Sequence, residues 1–385
     1  MNQSFDVVVI GGGVVGLSAA IAMSQRGFSV ALIDAGTLTV DTNSTDSRVY
    51  AINHASKSLL EKLGAWTRLD VDRIAPYEHM HVWDAGNGAH IDFDARMQGR
   101  DSLGCIIEES VLKNALLQQL SQENIITFPH SWVVTVESMP DVINISDGVH
   151  TWCSTLLIVA DGAKSVTREL LGVSLTSWPY HQQAIVTTVQ TEEPHQSTAY
   201  QVFNPDGPLA FLPLADAHRC SIVWSTRTQR ADALMHLSDE QFAVQLKDAF
   251  AAKLGDCTLD GPRLKFPLHM RQAKRYSGPR WLLMGDAAHT IHPLAGLGLN
   301  VGLADVSAWL LALSADKQNA WSSKTLGAYQ RQRKYEVWQA IALMDSLKTI
   351  FTHPLPSLVA LRGLGLQACD HLLPLKRWFI HQAAG

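Results

Sequence analysis

The chain has 385 residues, 46% of them hydrophobic and 17% charged, with a formal net charge of −5. That length allows two domains with sizeable cores at roughly 100 to 200 residues each, and a mildly negative chain with scattered basic residues leaves no footprint for nucleic acid. Its five cysteines, Cys105, Cys153, Cys220, Cys257 and Cys369, stand far apart, which excludes a disulfide framework and a zinc-ligand spacing; no metal is expected.

No uninterrupted run reaches the ~18 apolar residues of a membrane span. An apolar strand that opens at Phe5 is read as leaving no room for a leader peptide. The expected location is cytoplasmic, at most peripheral at the inner face of a membrane.

The first strand, Phe5 to Ile10, runs directly into Gly11-Gly12-Gly13-Val14-Val15-Gly16. A helical pattern from Leu17 to Gln25 follows, then a second strand, Ser29 to Ile33, ending in Asp34. Strand, Gly-x-Gly-x-x-Gly, helix, strand and acid form the dinucleotide-binding fingerprint. Gly11, Gly13 and Gly16 permit a tight turn and close approach to a pyrophosphate, and Asp34 can hold ribose hydroxyls. An acid there favours FAD or NAD over a 2′-phosphorylated cofactor.

Between Asp46 and Trp66, Ser56 is placed to cap a helix ending at Gly64. Arg48, just before it, can meet a phosphate or carboxylate or stay solvated. Residues 76 to 95 alternate around Trp83, Ile91 and Phe93 and predict strands of a second layer. Leu112, Leu116 and Leu120 mark a helix starting near Glu108. An apolar strand then runs into Asp161-Gly162, with Ser165 and Arg168 behind it; an ordinary Asp-Gly turn is the alternative there.

Residues 181 to 270 change character. Ala184 to Val189, Ala199 to Phe203, Leu209 to Leu214 and Cys220 to Trp224 predict a mainly antiparallel sheet inserted into the nucleotide-binding domain. A cofactor packed against such a sheet makes an interdomain pocket. Phe211, Pro213 and Trp224 are candidates for its wall, with core packing as the alternative.

The segment Met284 to Gly302 carries the densest chemistry. It follows a strand, Arg280 to Met284, and opens a helix whose Leu299, Leu303, Val306, Leu310 and Leu313 recur at helical spacing. The helix start near Gly298 favours negative charge. Gly296 and Gly298 admit close approach, and Asp286 offers a carboxylate to hydroxyls. A further helix is predicted from about Lys324 to Leu347. Beyond it, Leu358, Leu361, Leu364, Ala368 and Leu372, followed by Lys376, Arg377 and Trp378, predict an amphipathic segment within 356–380 that docks on a membrane surface or partner proteins; a helix packed on its own domain is the alternative.

Taken in order, Gly11 to Gly16, Asp161-Gly162-x-x-Ser165-x-x-Arg168, and Gly285-Asp286 with Pro293-x-x-Gly296-x-Gly298-x-Asn300 resemble the para-hydroxybenzoate hydroxylase-like flavin monooxygenases. Asp286-Ala-Ala-His289, Arg48-Val-Tyr-Ala-Ile-Asn, Phe211-Leu-Pro-Leu and Cys220-Ser-Ile-Val-Trp-Ser are similar to the ubiquinone-biosynthesis branch, in particular to hydroxylases of 2-polyprenylphenols. The resemblance implies an α/β fold: a Rossmann-type FAD-binding domain in three parts (1–75, 106–180 and 271–347), a β-layer segment (76–105), an inserted mainly antiparallel substrate domain (181–270) and C-terminal helices (348–385).

It further implies that Gly11, Gly13, Gly16 and Asp34 hold the ADP half of FAD and that Arg48 lies near the cofactor. Asp161 serves FAD and NAD(P)H together. Asp286 meets the ribityl chain, Gly296, Gly298, Leu299 and Asn300 lie against the isoalloxazine, and Gly285 and Pro293 are further cofactor-binding residues. Leu297, Asp34 and Glu109 depart from the usual Gln, Glu and Asn of the branch. The implied reaction is reduction of FAD by transiently bound NAD(P)H, formation of a flavin hydroperoxide with O2, and transfer of one oxygen to a polyprenylated phenol. His289 and His292 are candidates for moving the phenol proton, with a structural role as the alternative. Hydroxylation at another ring position, or a flavin-bound scaffold without turnover, are the rival readings.

Overall fold

The computed structural model describes residues 2–42, 46–291, 296–313 and 321–352, together with 355, 359, 362, 363, 365 and 366. The first layer is a mainly parallel sheet. Its strands run in the order Trp281–Leu283, Thr151–Val159, Asn2–Ile10, Val30–Ile33 and Ile125–Phe128, with Ser277–Gly278 antiparallel at one edge. Val7, Val8, Val9, Leu156, Leu157 and Ile158 are fully buried in it, as expected of continuous apolar runs covered on both faces. The helix Val14–Ser24 returns the chain from the first strand to the second. The sheet therefore has the doubly wound arrangement, and its strand ends carry the loops at Gly11, Asp161 and Gly285.

A second sheet lies beyond those strand ends. It runs His289–Thr290, Leu264–Ala273, Leu175–Thr191, Arg219–Arg227, Gly207–Pro213, Thr198–Asn204, His79–Asp84, His90–Asp94. Every neighbouring pair is antiparallel except Thr198–Asn204 with His79–Asp84. The strands expected within 76–95 therefore join the same sheet as those within 181–270. Leu175–Thr191 and Leu264–Ala273 are long enough to run from one layer into the other. A small third sheet, Val49–Ile52, Gly104–Glu108 and Ile74–Tyr77, closes the flank.

Helix boundaries follow local capping. Asn53, not Ser56, caps the helix His54–Lys62: its side chain accepts from the Ser56 amide. Asparagine preceding the first turn is among the best N-caps, and it displaces the serine three residues on. The helix Ser323–Thr352 is longer than its pattern suggested; at 1.5 Å per residue it spans about 45 Å. Its first two-thirds bury Leu326, Tyr329, Val337 and Ile341 in the core of the first layer. Its last third sends Met344 and Phe351 against the second sheet, where Phe351 stacks on Phe203 with ring centroids 4.0 Å apart. One helix thus fixes the two layers relative to each other.

Most of the segment 356–380, including Leu358, Leu361, Leu364, Ala368, Leu372, Lys376, Arg377 and Trp378, lies outside the described residues. Of those described within it, Arg362 and Leu366 pack on the chain itself. Arg362 donates from Nε to Asp84 Oδ2 at 2.5 Å and from Nη1 to the Phe351 carbonyl at 2.7 Å, and Leu366 joins the cluster around Met344 and Phe351. Among the described residues no helix is long and apolar enough to cross a membrane.

Candidate active site

At the nucleotide end two glycines, Gly11 and Gly16, have no room for a side chain. Gly11 has φ +110°, and a Cβ there would stand 2.3 Å from the Ala160 carbonyl oxygen; at Gly16 it would stand 1.9 Å from that of Gly11. Helix and adjacent strands therefore approach at backbone distance. Gly13, the N-cap of Val14–Ser24, has nothing within 4 Å of its Cβ position, so the helix start faces free space suited to a diphosphate. Asp34 is anchored by the main chain, accepting from Gly12 N at 2.5 Å and Gly36 N at 2.8 Å.

The second motif is tied to the third. Ser165 caps the short helix Val166–Leu170 by accepting from Arg168 N, and the buried Arg168 donates from Nη1 to the Ala287 carbonyl at 3.1 Å. Asp161 accepts from Thr167 N with Oδ2, while its buried Oδ1 has no partner. A buried, unpartnered carboxylate oxygen is costly and suits a ligand donor. The pattern of Asp161, Ser165 and Arg168 is thus a built connection and more than an ordinary turn.

Beneath the Gly285 loop His289 joins a charged cluster whose other members, Asp305 and Arg333, sequence reasoning missed. Asp305, fully buried, accepts from Gly285 N at 2.7 Å and His289 Nε2 at 2.8 Å through Oδ2, and from Arg333 Nε at 2.6 Å through Oδ1. Arg333 also donates to the Val301 carbonyl at 2.9 Å and pairs with Glu336. His289 and Arg333 together hold the Asp305 carboxyl below its ordinary range, against the opposing effect of burial. A signal existed: Asp305 is the only charged residue in the apolar helix Leu297–Ala312. Nothing in the sequence pointed to Arg333.

That helix begins at Gly296, whose φ of +63° sets the left-handed turn into it. Gly298 has nothing within 4 Å of its Cβ position, whereas a Cβ at Gly302 would meet Val15 at 2.8 Å; Gly302, also missed, lets the two glycine-led helices touch. Asn300 turns inward. Its amide donates to the Ala51 carbonyl at 2.6 Å and accepts from Asn53 N at 3.0 Å, so it fixes the strand beside the site and does not line the cavity. His292 and Pro293 lie outside the described residues.

Between the loops and the second sheet is a cavity of about 660 Å³. Gly13, Ala160, Gly162, Gly285, Asp286, Gly296, Gly298 and Leu299 line one side; Ala184, Val186, Ala210, Leu212, Val223, Ser225 and Phe266 line the other. Phe211 and Trp224 belong to the opposite face of that sheet. Phe211 stacks on Phe250 at 3.7 Å, and Trp224 packs edge-on to Phe242. Pro213, also buried, shares the strand parity of Phe211. The expected wall is thereby corrected by one residue: side chains alternate along a strand, and Thr228–Met235 and Asp239–Ala249 cover the aromatic face.

Among the polar groups that face the cavity are Arg48, Glu109, Tyr50 and Asp286. Arg48 Nη1 pairs with Glu109 Oε2 at 3.1 Å and lies over the Phe266 ring at 5.3 Å. Burial, reinforced by Glu109, pushes the Tyr50 hydroxyl far above its usual range, so it stays protonated. Asp286 is exposed toward the cavity, but desolvation by the surrounding protein raises its carboxyl, opposed by His289, Arg48 and Arg271. Glycine-bounded space at two helix starts, an unpartnered Asp161 oxygen and Asp286 in the gap between them fit a flavin dinucleotide. Gly11, Gly13, Gly16 and Asp34 would hold its nucleotide end, and Asp286, Gly296 and Gly298 its flavin end.

Comparison with known proteins agrees. The FAD binding domain family matches residues 4–343. The chain is 35% identical to 3-demethoxyubiquinol 3-hydroxylase of Escherichia coli (strain K12), covering 100% of this chain and 99% of that protein. It is 33% identical to the human mitochondrial ubiquinone biosynthesis monooxygenase COQ6, covering 97% and 91%. Among solved structures, p-nitrophenol 4-monooxygenase PnpA from Pseudomonas putida DLL-E4 superposes with a TM-score of 0.82 at 20% identity, covering 100% and 99%.

Proposed function

The chain belongs to the para-hydroxybenzoate hydroxylase-like family of FAD-dependent monooxygenases, and from that membership we propose that it hydroxylates the ring of a polyprenylated phenol or quinol in ubiquinone biosynthesis. The carrying observation is the cavity, whose flavin loops face a floor of alanine, valine and leucine. A long isoprenoid needs such a floor; a small carboxylated phenol needs a cation to clamp its carboxylate. Arg219, an alternative clamp, is engaged at 2.6 Å by Asp260, and the cavity cation Arg48 is engaged by Glu109. Relatives named for demethoxyubiquinol hydroxylation and ubiquinone biosynthesis support the same substrate class.

Bound FAD, with NAD(P)H as electron donor, supplies the activation of O2 from which one oxygen enters the ring. This chain's residues orient and shield. The start of Leu297–Ala312 places N–H groups and the positive end of the helix dipole beside Gly298, favouring negative charge there without a side-chain acid. The sheet floor excludes water from the ring. We assign His289 a positioning role: fixed on Asp305 and nearly fully buried, it sets the Gly285-Asp286 loop. A lipid-borne substrate would place the enzyme at the inner face of a membrane.

The test is NAD(P)H oxidation by the purified flavoprotein with a short-chain prenylated phenol or with 4-hydroxybenzoate, with product mass measured. Coupled insertion of one oxygen into the prenylated phenol alone is expected. Efficient hydroxylation of 4-hydroxybenzoate overturns the substrate class, and absence of turnover with any phenol favours the scaffold reading. Complementation of strains each lacking one ring hydroxylase assigns the position.

A further inference from the structure

The exposed face of the long helix Ser323–Thr352 combines cations and aromatics that no contact within the described protein explains. Lys324, Arg331, Tyr335 and Trp338 are exposed, and their spacing of seven, four and three residues places them along one stripe. Tyr335 is 66% and Trp338 44% exposed. Beside the stripe, Lys334 Nζ donates to the Lys274 carbonyl at 2.9 Å and Gln330 accepts from the amides of Tyr276 and Ser277. The loop carrying exposed Lys274 and Arg275 is thereby tied to the same two helical turns. Arg275 lies over the Trp281 ring at 5.7 Å.

Lys274, Arg275, Lys324, Arg331 and Lys334 have no carboxylate in ion-pair range among the described residues. The acids of the helix are directed elsewhere, Glu336 to Arg333 and Asp345 to Tyr180. In a chain of net charge −5, five unneutralised cations around an exposed Trp–Tyr pair are a local inversion of charge. Tryptophan and tyrosine are favoured at the boundary between water and lipid, and basic residues are attracted to anionic headgroups.

We propose that this face, built from residues 324–338 and the loop at 274–275, docks the protein on an anionic lipid surface. It deepens the reading above, since a lipid-borne phenol is met at a membrane. It differs in place from the segment 356–380.

The test uses the full chain loaded with FAD and no substrate, so it is independent of turnover. Co-sedimentation is measured with neutral phosphatidylcholine vesicles and with vesicles holding about 30% phosphatidylglycerol. The unaltered protein is expected to bind the anionic vesicles, to ignore the neutral ones, and to be released by about 0.5 M salt. Arg331→Glu with Lys334→Glu should weaken binding roughly tenfold or more, and Tyr335→Ser with Trp338→Ser should weaken it several-fold; flavin content should be unchanged in both. Equal binding by the altered and unaltered proteins overturns the proposal, as does no binding to anionic vesicles at low salt. If the unaltered protein is a dimer that these substitutions split, with vesicle binding unchanged, the face belongs to a second copy and the proposal fails.

Discussion

The two walls of the cavity are specified in different ways. On the nucleotide side, identity is fixed atom by atom: Gly16 cannot carry a Cβ, Asp34 answers two amides, and Asp305 answers an amide, an imidazole and a guanidinium. On the sheet side, Ala184, Ala210 and Val223 are small and apolar, and size rather than identity matters. A cofactor with fixed polar groups requires the first kind of wall; an apolar, variable tail requires only the second. If this contrast is right, the two walls should fail differently when altered.

The largest effect is expected at Asp305. Asp305→Asn leaves the buried Arg333 with only the partly exposed Glu336 as counter-charge and should destabilise the fold by ~3 kcal/mol, with loss of flavin, measured by denaturant unfolding and flavin content. Because the folded carboxyl is held below its ordinary value, its contribution is present above the unfolded pKa of about 3.9 and is lost as pH falls through the lower folded value. The stability gap between Asp305→Asn and the unaltered protein should therefore shrink below about pH 4; a gap independent of pH over that range would remove the charged network from the account.

Phe211→Ala sharpens the contrast within one strand. Its ring lies beneath the helices, against Phe250, so its loss should cost ~3–5 kcal/mol of stability while FAD affinity of the folded protein and the KM for substrate stay unchanged. A raised KM at constant stability would return Phe211 to the cavity wall.

Asp286→Ala removes the carboxylate facing the gap between the two glycine-lined ends. A charge-assisted hydrogen bond contributes ~1.5–3 kcal/mol, so FAD should bind roughly 10- to 150-fold more weakly, read by flavin fluorescence, with little change in stability. Unchanged affinity would sink the assignment. The smallest structural effect is expected at Ala210, which borders the cavity and has space before it. Ala210→Leu should leave stability within about 0.5 kcal/mol and FAD binding untouched, yet raise the KM of a prenylated substrate more than that of a small phenol.

What the sequence disclosed was local. The glycine fingerprint, the Asp161-Gly162 motif and the Gly285 to Asn300 segment are read within a few residues of their own position, because turn geometry and helix starts depend on neighbours in the chain. The doubly wound layer and the antiparallel layer followed from the same periodicities. Even Asp305 carried a local sign, as one charge in an apolar helix.

What the sequence could not decide was which side of an element faces which neighbour. Both faces of the second sheet are apolar, so alternation at Phe211 and Trp224 yields two candidate faces; only the later helices Thr228–Met235 and Asp239–Ala249 settle which one is covered. Asn300 was legible as part of a motif, but its amide is committed to Ala51 and Asn53, some 250 residues earlier in the chain. Arg333 meets Asp305 across 28 residues and two helices. Local chemistry is encoded where it occurs, whereas burial, pairing and the facing of side chains depend on distant segments, and those are brought together only by the packed tertiary structure.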